Sequence, residues 1–162
     1  MSEKVHRPTL TDTEKRAIDA EMRHYEKPGA VSVEALRIVQ AERGWVSDEA
    51  LRAVAEYTGI PEANLEGVAT FYNLVFRQPV GRHVVLVCDS VSCWLCGYDG
   101  LKQQVQDKLG IGFGETTEDG RFTLLPTVCI GYCDKAPALM IDDDHYGQLD
   151  EAGLEGVLAR YT

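Results

Sequence analysis

Five cysteines, Cys88, Cys93, Cys96, Cys129 and Cys133, are all confined to one stretch of the chain, and that confinement restricts the fold more than any other feature. They form C-x4-C (Cys88, Cys93), an overlapping C-x2-C (Cys93, Cys96) and C-x3-C (Cys129, Cys133). All five flank turns, which unrelated buried thiols would not do. The start, Met1 to Asp12, is polar and lacks the apolar stretch of a signal peptide. The expectation is an intracellular-type protein whose thiols bind metal or do redox work rather than staple the chain. An odd count points to four ligands and one spare.

The residues around the thiols must supply the scaffold. Helical signals fill the first half. Thr11 or Asp12 caps a helix through Ile18, Met22 and Tyr25, before the Lys27-Pro28-Gly29 break. Ser32 caps a second, with Val33, Leu36 and Val39 on one face and Gly44 beyond its end. Ser47 starts a third, stopping at Gly59, and Pro61 suits the first turn of a fourth towards Phe71 and Tyr72. Residues 1–80 therefore read as a small helical bundle.

Pro79-Val80-Gly81 marks a boundary. Then His83-Val84-Val85-Leu86-Val87-Cys88 is the continuous apolar run of a buried strand. A helix from Tyr98 to Leu109, strands at Arg121 to Leu125 and Ala138 to Asp142, and a helix over 150–161 follow. This order is that of a small α/β domain over residues 81–162, so the fold class is α/β (α+β) behind a helical region.

Cys88 ends the first strand, and Cys129 and Cys133 lie in a loop between strands. Two thiol pairs at one end of a sheet can each hold one iron of a [2Fe–2S] centre. The glycines Gly97 and Gly131 would let backbone N–H groups approach the sulfurs. The same residues admit two rivals: zinc held by the Cys93–Cys96 knuckle with Cys129 and Cys133, or a thioredoxin-type dithiol at Cys93 and Cys96. Spacing alone does not choose among them.

Charge excludes several functions. The net charge is −10, and it is uneven. Residues 1–82 carry 11 basic and 13 acidic side chains, a net −2, whereas residues 83–162 carry 5 and 13, a net −8. An acidic half repels phosphate backbones, and the stretch Pro61 to Tyr72, the best candidate for a DNA-reading helix, has no Lys or Arg. Gly110-Ile111-Gly112-Phe113-Gly114 misses the G-x-G-x-x-G nucleotide pattern and follows a helix, so it reads as a loop. No apolar run approaches the roughly 18 residues of a membrane span. His83 reads as a surface histidine, Asp142-Asp143-Asp144-His145 as a solvated turn, Trp45 as a helix-end contact, Trp94 equally as loop packing or a partner contact, and Phe71 to Phe76 mostly as core.

The motifs Thr70-Phe71-Tyr72, Phe76 to Arg82, Cys88-Asp89-Ser90-Val91-Ser92-Cys93 and Thr123 to Pro137 resemble the 24-kDa subunit family of respiratory complex I. The resemblance runs from about Leu10 to Tyr161. It implies a thioredoxin-like [2Fe–2S] ferredoxin domain after the helical region, with one [2Fe–2S] cluster on Cys88, Cys93, Cys129 and Cys133 and with Cys96 spare. It also implies a non-catalytic, electron-carrying subunit of a proton-translocating NADH:quinone oxidoreductase. In such an assembly FMN and NADH sit on a partner subunit, from whose flavin this chain accepts one electron. The partners implied are that flavin subunit and the rest of the peripheral arm, on the cytoplasmic side of the inner membrane without insertion. Related subunits serve NAD-linked hydrogenases and formate dehydrogenases, and a zinc-stabilised interaction module is the alternative from another class.

Overall fold

The punctuation residues of the first half do set helix ends in the computed structural model, which describes residues 9–162. Most of the stretch Met1 to Asp12, read as no signal peptide, lies outside the described residues. Helix α1 (Asp12–Met22) starts at Thr11, whose hydroxyl accepts the Glu14 N–H while the Glu14 carboxylate accepts the Thr11 N–H, a reciprocal cap. Helix α2 (Ser32–Arg43) ends at Gly44 and α3 (Asp48–Thr58) at Gly59, both left-handed at φ 87° and 72°. Ser47 caps α3 through the Ala50 N–H, and α4 (Glu62–Phe71) follows Pro61.

Two expectations here need correction. Ser32 does not cap α2. It is the helix's first residue, because Pro28–Val31 winds a 3-10 turn straight into it, and the Ser32 hydroxyl donates back to the Gly29 carbonyl at 2.6 Å. Most of Phe71 to Phe76 is not core either. Leu65 and Ala69 form the buried face of α4, and Phe71, off that face, is 80 % exposed. Tyr72 leaves the helix in extended conformation and is 45 % exposed, Leu74 is 46 % exposed, and Val75 alone of the patch is fully in the core.

The helices pack around Ile18, Leu36, Val39, Leu51, Val54 and Leu65. Glu14 is wholly buried among them and takes Arg43 Nε at 2.6 Å and Nη2 at 2.8 Å. Arg77 ties the end of this unit back, donating to the Val46 carbonyl, Asp48 and Glu66. The chain divides after Pro79.

The second unit, Val80–Thr162, is a four-stranded sheet with helices. Its elements are β1 (His83–Cys88), α5 (Val91–Leu95), α6 (Tyr98–Leu109), β2 (Phe122–Thr127), β3 (Ala138–Ile141), β4 (Asp144–Gly147) and α7 (Glu151–Leu158). The sheet order is β2-β1-β3-β4, with β1 and β2 parallel and the other pairs antiparallel. Val85, Val87, Leu124, Leu139 and Ile141 meet Val105 of α6 and Leu154 of α7 in its core. A parallel pair needs a crossover, and α5 and α6 supply it between β1 and β2. The mixed α/β unit behind a helical region is the fold class the sequence implied.

The acidic run is exposed throughout, as expected of a solvated turn, and it also shapes the sheet. Asp142 and Asp143 make a two-residue hairpin, with Asp142 at φ 52°, and Asp144 and His145 enter β4. Asp142 accepts His83 Nδ1 at 2.7 Å and the Val84 N–H at 3.0 Å, which consumes its charge in tying β1 to β3. Among the described residues no helix is long and apolar enough to cross a membrane.

Candidate metal centre

Parallel pairing fixes where the thiols meet. Cys88 ends β1 directly opposite Thr127, the last residue of β2, and the Asp89 N–H continues the ladder to the Thr127 carbonyl at 3.0 Å. The loop carrying Cys129 therefore leaves the sheet beside the point where β1 ends. Cys93 is the middle residue of the short α5, and Cys133 opens a 3-10 turn, Cys133–Lys135, that leads into β3. The antiparallel register, with Val87 opposite Leu139, sets Ala138 at the same end of the sheet.

The four thiols divide by environment. Cys88 and Cys93 are each 2 % exposed and share a small apolar cluster with Ala136 and Ala138, flanked by Ile130 and Tyr132. Cys129 and Cys133 are exposed, their sulfurs 3.5 Å apart. Two thiolates on one tetrahedral metal, each at about 2.3 Å, stand about 3.8 Å apart, so this spacing is that of a shared metal to within a few tenths of an ångström. Cys88 lies within hydrogen-bonding reach of both Cys93 and Cys129, so the buried and the exposed thiols gather at one place. A donor set of two plus two thiols fits a [2Fe–2S] cluster, whose irons each take two.

Electrostatics also couple the thiols. Burial pushes the Cys93 thiol up to about 11, helped by the neighbouring Cys88 and opposed by the Ala138 N–H. Cys129 is held below the ordinary thiol value, first by the Gly131 N–H, 3.4 Å from its sulfur, and then by Cys133. Cys133 is raised, first by the hydrogen bond it shares with Cys129, with Ser92 opposing. Backbone N–H groups that already point at two of the sulfurs favour their charged form, and metal binding requires that form.

Of the two glycines expected to serve the sulfurs, Gly131 does so, at φ 78°. Gly97 does not: it starts α6 at φ 107°, and its N–H faces the Trp94 carbonyl. Cys96, the fifth thiol, is exposed just past α5. His83 is engaged with Asp142 at the opposite end of β1 from Cys88. Sequence patterns did not point to Ala138, whose N–H reaches Cys93, or to Gly147, which lies against Lys135 behind the Cys133 turn. Neither belongs to a motif that spacing could reveal. Val91, Trp94 and Leu95 of α5, with Val128 next to Cys129 in sequence, are 61–72 % exposed, so Trp94 is not loop packing.

Comparison with known proteins places the chain among relatives along nearly its whole length. The family described as thioredoxin-like [2Fe-2S] ferredoxin matches residues 18–162. The E subunit of NADH-quinone oxidoreductase from Pseudomonas aeruginosa is 55 % identical over 153 residues, covering 94 % of this chain and 92 % of that protein. Its Escherichia coli K12 counterpart is 54 % identical over 152 residues, with the same coverage. Among solved structures, a chain of an NAD+-reducing [NiFe]-hydrogenase in its H2-reduced state aligns with a TM-score of 0.64 and 25 % identity, over 77 % of this chain. The aligned part is 21 % of that longer chain.

Proposed function

The chain belongs to the thioredoxin-like [2Fe–2S] ferredoxin family, alongside the NADH-quinone oxidoreductase E subunits, and on that premise we propose that it is the electron-carrying E subunit of such an enzyme. Cys88, Cys93, Cys129 and Cys133 hold one [2Fe–2S] cluster, and Cys96 stays outside it. The observation that supports this most is the pairing of thiols at one sheet end, with the Cys129 and Cys133 sulfurs 3.5 Å apart.

When bound, such a cluster takes up and gives back one electron and makes no bonds. The residues around it supply everything else. The buried Cys88 and Cys93 anchor one side in the fold, while Cys129 and Cys133 present the other to the surface. The Gly131 and Ala138 N–H groups offset thiolate charge, and hydrogen bonds to sulfur are one of the levers on potential. An all-cysteine set in an acidic half favours a low one. The exposed Val91, Trp94 and Leu95, on the helix that carries Cys93, and Val128, next to Cys129 in sequence, offer apolar surface of the kind that partners cover.

The partner proposed is the subunit that carries FMN and oxidises NADH, in a proton-translocating assembly whose peripheral arm lies on the cytoplasmic face of the membrane. A place in an NAD-linked hydrogenase is the second reading, which the hydrogenase likeness favours. Identity of 55 % against 25 % favours the quinone enzyme.

A mixing experiment tests the role. The full-length loaded chain is reduced, freed of reductant and mixed anaerobically with the oxidised flavin subunit. Recovery of the bleached visible absorption, slowed by Trp94→Glu at unchanged iron content, is expected. No recovery with a flavin subunit that still oxidises NADH would contradict it.

A further inference from the structure

We propose that Cys129 and Cys133 are also a reversible oxidation site. In the chain before cluster loading, a small-molecule disulfide closes them into a disulfide that blocks loading until a dithiol reopens it. This rests on the cluster reading only for its consequence, since the disulfide itself needs just the two thiols.

The case is geometric. A disulfide bond of about 2.05 Å asks two sulfurs 3.5 Å apart to close by about 1.5 Å. That distance is within side-chain rotation across a C-x3-C loop. Both thiols are exposed, so an oxidant reaches them, and their sulfurs already lie 3.5 Å apart in the fold. Cys88 and Cys93 are neighbours too, and Cys88 also reaches Cys129, but at 2 % exposure both inner thiols are shielded from a tripeptide-sized reagent. Oxidation therefore stops at one pair and leaves the inner one reduced.

The chemistry balances with glutathione disulfide as oxidant. One thiolate attacks it, forming a mixed disulfide and releasing one glutathione. The second thiolate then displaces the other glutathione, and the Cys129–Cys133 bond forms. Two protons and two electrons pass from the protein to two glutathione molecules. A dithiol reverses both steps. In the oxidised state neither sulfur can bind metal, so half of the donor set is withdrawn.

The test uses the full-length chain, stripped of metal anaerobically and exposed to glutathione disulfide. Peptide mapping should find a Cys129–Cys133 bond with Cys88 and Cys93 still alkylatable, in wild type and in Cys96→Ser alike. Loading with ferrous iron and sulfide should then fail and return after dithiothreitol. A stable mixed disulfide at either thiol, a bond involving Cys88 or Cys93, or equal loading of the oxidised chain would overturn the proposal. A chain that fails to load even when fully reduced would instead sink the cluster reading.

Discussion

The carbonyl of Lys135 passes so close to Gly147 that no Cβ fits between them. Gly147 ends β4 opposite Ala138, and Lys135 closes the turn that Cys133 opens. A glycine with no thiol near it in sequence thus sets the depth of that turn. Gly147→Ala should push the turn outward, at the roughly 1–3 kcal/mol of overpacking, and lower the iron retained per chain. Gly100→Ala, in open space within α6, should be neutral or stabilising by up to about 1 kcal/mol. Equal iron contents and unfolding midpoints for the two variants would remove the packing argument.

Serine substitutions separate ligands from bystander. Each of Cys88→Ser, Cys93→Ser, Cys129→Ser and Cys133→Ser should cut iron retention by more than the roughly 10-fold that loss of even an outer partner causes. Cys96→Ser should keep wild-type iron and visible absorption. Iron analysis of the five variants decides it, and a cluster lost with Cys96 would mean a different ligand set.

Much of the fold is legible in the residues alone. The apolar run ending at Cys88, and Gly44, Gly59 and Gly110 as helix terminators, are local signals, and locally they hold. What escapes depends on tertiary partners. Asp144 and His145 have no strand-like side chains, yet they pair with Ile141 and Met140 because Asp142 and Asp143 turn the chain. Phe71 reads as core because composition does not say which way a helix faces after Leu65 and Ala69 are buried. Gly147 carries no signal at all, since its role is set by the backbone of Lys135, remote from it along the chain.

Glu14 and Arg43 give a pH dependence in the helical unit. Burial alone would raise the Glu14 carboxyl, but the hydrogen bond from Arg43, the Thr11 N–H and the Arg43 charge together hold it below the usual carboxylate value. A lowered folded value contributes stability that is full above the unfolded pKa of about 4.3 and is lost as pH falls through the folded one. Arg43→Met should cost about 3–5 kcal/mol at neutral pH by leaving a buried carboxylate unpaired. That loss should shrink in acid once Glu14 is protonated. Urea unfolding at pH 7 and pH 3 measures both, and a pH-independent loss would contradict the pairing.

Tyr161 gives the alkaline counterpart in the second unit. Burial, then the Tyr146 hydroxyl at 2.8 Å, then Asp144 at 2.8 Å raise its phenol above the ordinary value. A raised value contributes stability that is complete below the unfolded pKa of about 10 and is lost as pH rises through the folded one. It should therefore appear as a late-ionising component in an ultraviolet titration. Tyr161→Phe should delete that late component and cost about 1 kcal/mol. A titration unchanged in the variant would show the hydroxyl is not held there.

The central claim is that these thiols carry an iron–sulfur cluster and not another metal. Iron, zinc and acid-labile sulfide per chain, on anaerobically purified full-length protein, test it most directly. About two irons and about two sulfides are expected. About one zinc with no sulfide, the content of a structural four-cysteine site, would contradict it.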